Sequence, residues 1–135
     1  MEIKDRVLIV EDDKNIRKFI QTILEANDYD VIATETGKEA YSLITSRCPD
    51  VVILDLGLPD MDGMKILKEV RAWSNMPIIV ISARSEDTDK IEALDAGADD
   101  YITKPFSVEE LLARIRVTQR RLAITQTGDQ LETSI

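Results

Sequence analysis

A chain of 135 residues, 44% hydrophobic and 32% charged, has the size of one ordinary domain and is too apolar to stay unfolded. Its net charge of −9 opposes nonspecific binding of this domain to nucleic acid, and the absence of histidine excludes histidine-based zinc sites and Ser-His-Asp triads. Cys48 is the single cysteine, so no internal disulfide can form and a cytoplasmic setting is expected; no apolar run approaches the roughly 20 residues of a membrane span.

Val7–Val10 reads as a buried strand. Ile16, Phe19, Ile20, Ile23 and Leu24 follow at the spacing of an amphipathic helix. Val31–Ala33 is a short second strand, and Ala40, Leu43 and Ile44 mark a helix that must stop before Pro49. Val51–Leu54 is the third strand, with a helix after Asp62-Gly63 carrying Met64, Leu67 and Val70. Pro77–Ile81 is the fourth strand; Ile91, Leu94 and Ala98 bracket a less apolar helix ending at Gly97. Tyr101–Ile102 is a brief fifth strand, and Leu111, Leu112, Ile115 and Leu122 give the last helix its apolar face. After about Arg121, AITQTGDQLETSI has linker composition and no period. Strands apolar throughout need cover on both faces, so five strands in a parallel α/β sheet sandwiched by helices are expected.

Two of these strands end in acids. RVLIVEDD delivers Glu11, Asp12 and Asp13, and VVILDLGLPD delivers Asp55. In an open parallel sheet, sites form beyond the carboxyl ends of the strands. If strands one and three are neighbours, Glu11, Asp12 and Asp55 converge, and a hard dication such as Mg²⁺ relieves their repulsion. Asp13 is better explained as an acid at a helix N-terminus. Ser82 and Lys104 lie at two further strand ends. A hydroxyl and an ammonium beside a cation-bound carboxylate suit a phosphoryl group, with Asp55 as the nucleophile that forms an acyl phosphate.

VLIVEDD, DLGLPDMDG, PIIVISAR, DAGADDYITKPF and ELLARIRVTQRR, in this order, resemble the receiver domain of a bacterial two-component response regulator. The resemblance covers about Arg6–Arg121. It implies a doubly wound, flavodoxin-like (CheY-like) sheet of order 2-1-3-4-5, with residues 1–122 as the receiver and 123–135 as a linker or tail. It implies Asp55 as phosphoacceptor, with Glu11, Asp12, Asp55 and the Gly57 main-chain carbonyl around Mg²⁺, or Mn²⁺ in its place. Ser82 would be the switch hydroxyl, Tyr101 the switch aromatic that turns inward when Ser82 moves, and Lys104 the phosphate partner. The Lys104–Pro105 peptide is expected to be cis. A sensor histidine kinase would donate the phosphoryl group, so the domain would act only on itself rather than as an enzyme of free substrates.

LDAGADDYITKPFSVEELLARIRVTQRR is similar to the winged-helix (OmpR/PhoB-like) subfamily, whose members dimerise through the fourth helix, fifth strand and fifth helix. Matching positions imply pairs across the dimer: Lys90 with Glu110, Asp100 with Arg114, and Asp95 with Arg116. Without the resemblance, Glu110 and Arg114 are an i, i+4 pair within one helix. RAWSNMPIIVISARSEDTDKIEALDAGADD further resembles regulators of a potassium-uptake ATPase. Promoter DNA would then be reached through a DNA-binding domain that this chain lacks; a stand-alone receiver is the alternative. A haloacid-dehalogenase-like phosphatase would also use a strand-end Asp with Mg²⁺, but Gly57 stands where its second Asp is needed. A flavin-binding flavodoxin-like domain would need a phosphate loop where Glu11-Asp12-Asp13 stand, and P-loop and dinucleotide-binding glycine motifs are absent.

Overall fold

The computed structural model describes residues 4–133, the last thirteen as backbone only. Five strands alternate with five helices: β1 (Arg6–Val10), α1 (Lys14–Ala26), β2 (Asp30–Thr34), α2 (Gly37–Arg47), β3 (Val51–Asp55), α3 (Gly63–Arg71), β4 (Ile78–Ser82), α4 (Asp87–Asp95), β5 (Asp100–Thr103) and α5 (Val108–Thr133). All strand pairs are parallel, in the order β2-β1-β3-β4-β5. The doubly wound sheet expected from the sequence is the one found.

The period-two alternation of strand side chains divides the core into two layers. Leu8, Val10, Val52, Leu54, Ile78 and Val80 pack with Ala40 and Ile44 of α2, Met64, Ile66 and Leu67 of α3 and Ala93 of α4. Val7, Ile9, Val51, Ile53, Ile79 and Ile81 pack instead with Ile20 and Leu24 of α1 and Leu111 and Ile115 of α5. Residues of β1, β3 and β4 from Val7 to Val10, Val51 to Leu54 and Ile78 to Ile81 are fully buried. That is why these strands read as unbroken apolar runs. Each such side chain contributes about 1.5–3 kcal/mol on burial.

The helix ends follow local chemistry. The Asp13 carboxylate caps α1, accepting from the amides of Asn15 (2.9 Å) and Ile16 (3.1 Å); this is the role expected of it. Asp62 caps α3 through the Met64 amide at 3.0 Å. α2 closes on Cys48 in the left-handed conformation, φ 47°, just before Pro49.

Three large apolar side chains face outward. Phe19, on the α1 stripe, is 48% exposed, because Ile20 and Leu24 fill the space against the sheet. On α4, Ile91 and Leu94 are 56% and 46% exposed, and the buried residue is Ala93. α4 sits close to the sheet only through that small side chain, which turns its larger apolar residues outward. At the carboxyl end, α5 continues as helical backbone to Thr133, where the sequence reads as linker. Adding turns to an existing helix is far easier than starting one, so a long helix can run on without an apolar stripe. The side chain of Leu122 lies outside the described residues.

Candidate functional site

The site forms where the carboxyl ends of β1, β3, β4 and β5 meet. The register sets Val10 beside Leu54, so the next residues, Glu11 and Asp55, are neighbours. The Glu11 amide donates to the Thr34 carbonyl at 3.0 Å, which extends the sheet by one residue and leaves the Glu11 side chain fully buried. Asp55 is also buried, while Asp12 is exposed at the turn. Carboxylate oxygens of Glu11, Asp12 and Asp55 all lie within 4.8 Å of one another. The convergence expected from two strand ends is present.

Lys104 enters from the loop after β5. Its amide donates to the Ser82 carbonyl at 2.8 Å, and the Lys104–Pro105 peptide is cis as expected. The ammonium donates to both oxygens of Glu11, at 3.0 and 3.1 Å, and lies 3.3 Å from Asp55 Oδ2. One cation thus serves two buried anions. Burial, together with the hydrogen bond and charge of Asp55, pushes Glu11 up to about 7 despite the nearby lysine. Burial alone would lower the Lys104 pKa, but bonding to Glu11 and the charge of Asp55 raise it above its ordinary value. The pocket is short of positive charge.

A cavity of about 410 Å³ opens over these groups, bordered by Glu11, Asp12, Asp55, Gly57, Ser82 and Lys104 among others. The Gly57 amide donates to Asp55 Oδ1 at 3.1 Å, which leaves Oδ2 facing Lys104. Three oxygen donors from carboxylates, uncompensated charge and room for waters fit a hard dication of the Mg²⁺ kind. No soft or nitrogen donor stands among the three carboxylates.

Ser82 is buried, and its Oγ accepts the Arg84 amide at 3.0 Å. Tyr101 is expected to lie outward in a resting state. Here it is 7% exposed and packs in the core, its hydroxyl donating to the Arg84 carbonyl at 2.7 Å. The backbone of Arg84 therefore joins Ser82 to Tyr101. The expected interface charges line α4, β5 and α5, but one of the three pairs, Asp100 with Arg114, closes within the chain, and Glu110 meets Arg114 along α5 rather than Lys90. Arg114 contacts Asp100 at 3.3 Å and Glu110 at 3.7 Å. Lys90, Asp95 and Arg116 make no ion pair among the described residues.

The sequence reading missed one residue beside the site. Arg17 Nη1 donates to the carbonyls of Glu11 (2.8 Å) and Asp12 (3.3 Å), steadying the turn that presents both acids. Its position one turn into α1, after three acids, was the available signal.

Residues 7–116 match the response regulator receiver domain family. The chain belongs to the receiver family. Curated relatives include the KDP operon transcriptional regulatory protein KdpE of Escherichia coli K12, 52% identical over 93% of this chain and 56% of the relative. KdpE of Mycobacterium tuberculosis H37Rv is 49% identical over 85% of this chain and 51% of its own length. The receiver thus spans about half the length of these relatives. Among solved structures, the receiver domain of Francisella response regulator 1452 superposes with a TM-score of 0.84 at 41% identity, covering 88% of this chain and 99% of that one. The expected likeness to response regulators of the OmpR family is met in these KdpE sequences. No helix among the described residues is long and apolar enough to cross a membrane.

Proposed function

We propose that this receiver is phosphorylated on Asp55 by a sensor histidine kinase in the cytoplasm. The switch controls transcription, of potassium-transport genes by analogy with its KdpE relatives, through a DNA-binding domain beyond this chain. The receiver proper ends near Leu122, and a linker begins there. The observation that carries the reading is the gathering of Glu11, Asp12 and Lys104 around Asp55 at the mouth of one cavity.

Asp55 Oδ2 attacks phosphorus as the nitrogen–phosphorus bond of the kinase phosphohistidine breaks, and the imidazole leaves with a proton. Glu11, Asp12, Asp55 and the Gly57 carbonyl would hold Mg²⁺ or Mn²⁺, which when bound supplies positive charge to the transferring phosphoryl oxygens. Lys104 gives a second positive charge once it shares its attention between Glu11 and the phosphoryl group. Ser82 donates its hydroxyl to a phosphoryl oxygen, and the movement that brings Oγ there withdraws it as acceptor from the Arg84 amide. Release of Arg84 loosens the loop between β4 and α4, and the α4–β5–α5 face is remodelled for a second copy. Lys90–Glu110, Asp100–Arg114 and Asp95–Arg116 are the proposed pairs across an isologous two-fold interface. The intrachain contacts of Arg114 must then be exchanged for intermolecular ones, at little net cost because they are exposed.

Sedimentation of the protein with Mg²⁺, before and after beryllofluoride, tests the reading. Dimer formation that depends on Asp55 is expected. An Asp55→Ala protein that dimerises equally well would overturn it.

A further inference from the structure

We propose that Asp60 is a positioning residue for the phosphoacceptor site, bracing the loop that carries Gly57 against the first turn of α2. The inference rests on the magnesium-assisted reading above and adds a part of the molecule that reading does not use.

The loop from Leu56 to Asp62 joins β3 to α3. It closes on itself through the bridge between Gly57 and Asp62 and through the Gly63 amide, which donates to the Leu56 carbonyl at 2.9 Å. Gly63 permits this closeness, since a Cβ there would stand 2.5 Å from the Asp55 carbonyl oxygen and 2.8 Å from Leu56 Cα. A loop closed only on itself could still tilt as a unit about its two ends. Asp60 supplies an anchor on a different element. Its Oδ1 accepts from the Gly37 amide at 2.8 Å, and its Oδ2 accepts from the Lys38 amide at 3.0 Å.

Those two amides belong to the opening turn of α2, where backbone N–H groups have no helical partner and carry partial positive charge. The local cap, Thr36, serves only the next amide, Glu39, at 3.3 Å. The chain therefore leaves Gly37 and Lys38 to a carboxylate from 22 or more residues away. Contact between loop and helix is close. A Cβ on Gly37 would meet Met61 Cγ at 2.6 Å, Met61 Sδ at 2.8 Å and Ile66 Cδ1 at 2.9 Å. α2 is itself fixed to the sheet by buried Ala40 and Ile44. Asp60 thus ties a loop at the cavity to a helix seated in the core, and Gly57 lies three residues before that tie.

Both Asp60 oxygens are used, so asparagine can replace one bond but not the second; its amide group would face a backbone N–H. Alanine replaces neither. Amide hydrogen exchange of the magnesium-free protein, residue by residue, reads the brace directly in wild type, Asp60→Asn and Asp60→Ala. Exchange at Gly37, Lys38 and Gly57 should quicken in the order wild type, asparagine, alanine, while amides of β1 and β4 stay as they were. Magnesium affinity should fall in the same order, by about tenfold for alanine, the scale for losing a contact that supports a metal ligand. Unchanged exchange at Gly57 in Asp60→Ala, with Gly37 and Lys38 already faster, would overturn the proposal. So would wild-type magnesium affinity in that variant. If alanine prevents folding, the same comparison in Asp60→Asn decides it. A wild-type protein that binds no magnesium would sink the metal reading, and the Gly57 exchange rate would still judge the brace.

Discussion

Lys104 holds Glu11 more closely than it holds Asp55: its ammonium is 3.0 and 3.1 Å from the two Glu11 oxygens and 3.3 Å from Asp55 Oδ2. The lysine is therefore engaged before any phosphoryl group arrives, and it screens two buried carboxylates from each other. Removing it leaves both without a cation, and Asp55 with only the Gly57 amide. Lys104→Met should lower unfolding free energy in urea by about 3–5 kcal/mol, as for other half-broken buried pairs. Magnesium should restore part of the loss, read as a larger metal-induced rise in midpoint than the wild type shows.

Asp12 differs from Glu11 in being exposed, so its removal should spare the fold. Asp12→Ala should retain wild-type stability but bind Mg²⁺ more than about tenfold more weakly, since even contacts that merely support a metal ligand are worth that much. Calorimetric titration checks it; affinity equal to wild type would remove Asp12 from the metal site.

Tyr101 should act through its hydroxyl. Tyr101→Phe keeps the ring in the core and deletes one bond to the Arg84 carbonyl, an effect of about 0.5–1.5 kcal/mol. The loss should appear locally, as faster amide exchange from Ala83 to Glu86. Uniform change across the chain would argue against this role.

Acid should weaken the protein partly through Asp60. The amides of Gly37 and Lys38 hold its carboxyl below the ordinary 3.8. A depressed folded value means the contribution is complete above 3.8 and is lost as pH falls through the lower folded value. Asp60→Asn carries no such proton, so its thermal midpoint should fall less steeply than wild type at pH values below 3.8. Parallel curves would show that Asp60 does not contribute.

Arg71 holds the turn between α4 and β5. It donates to the Gly97 carbonyl at 2.8 Å and the Ser74 carbonyl at 3.1 Å, and pairs with Asp99 at 2.9 Å. Arg71→Met leaves these acceptors poorly served and should cost about 1–3 kcal/mol, measured by urea unfolding.

The sheet was readable because its central strands are buried on both faces, which writes them as VLIV, VVIL and IIVI. The acids were readable for the complementary reason: a carboxylate ending an apolar strand contradicts its surroundings unless a site lies there. What stayed hidden depends on distance between segments. Nothing around Asp60 or Arg17 says which backbone groups they reach, because those partners are brought near only by the fold. The exposure of Phe19, Ile91 and Leu94 was not readable, because periodicity marks a face but not how much of it the neighbours cover. The inward position of Tyr101 could not be read either, since an edge-strand aromatic fits both placements.

Ala93 is the one side chain that α4 sinks fully into the interior. A methyl group is a weak nail for a nine-residue helix, so tilting or sliding α4 forfeits little packing energy. Inverting an equilibrium from about 1:99 to 99:1 requires only about 5.5 kcal/mol. A lightly fastened helix keeps that demand within reach of a single covalent modification, where a deeply rooted one would absorb it unmoved.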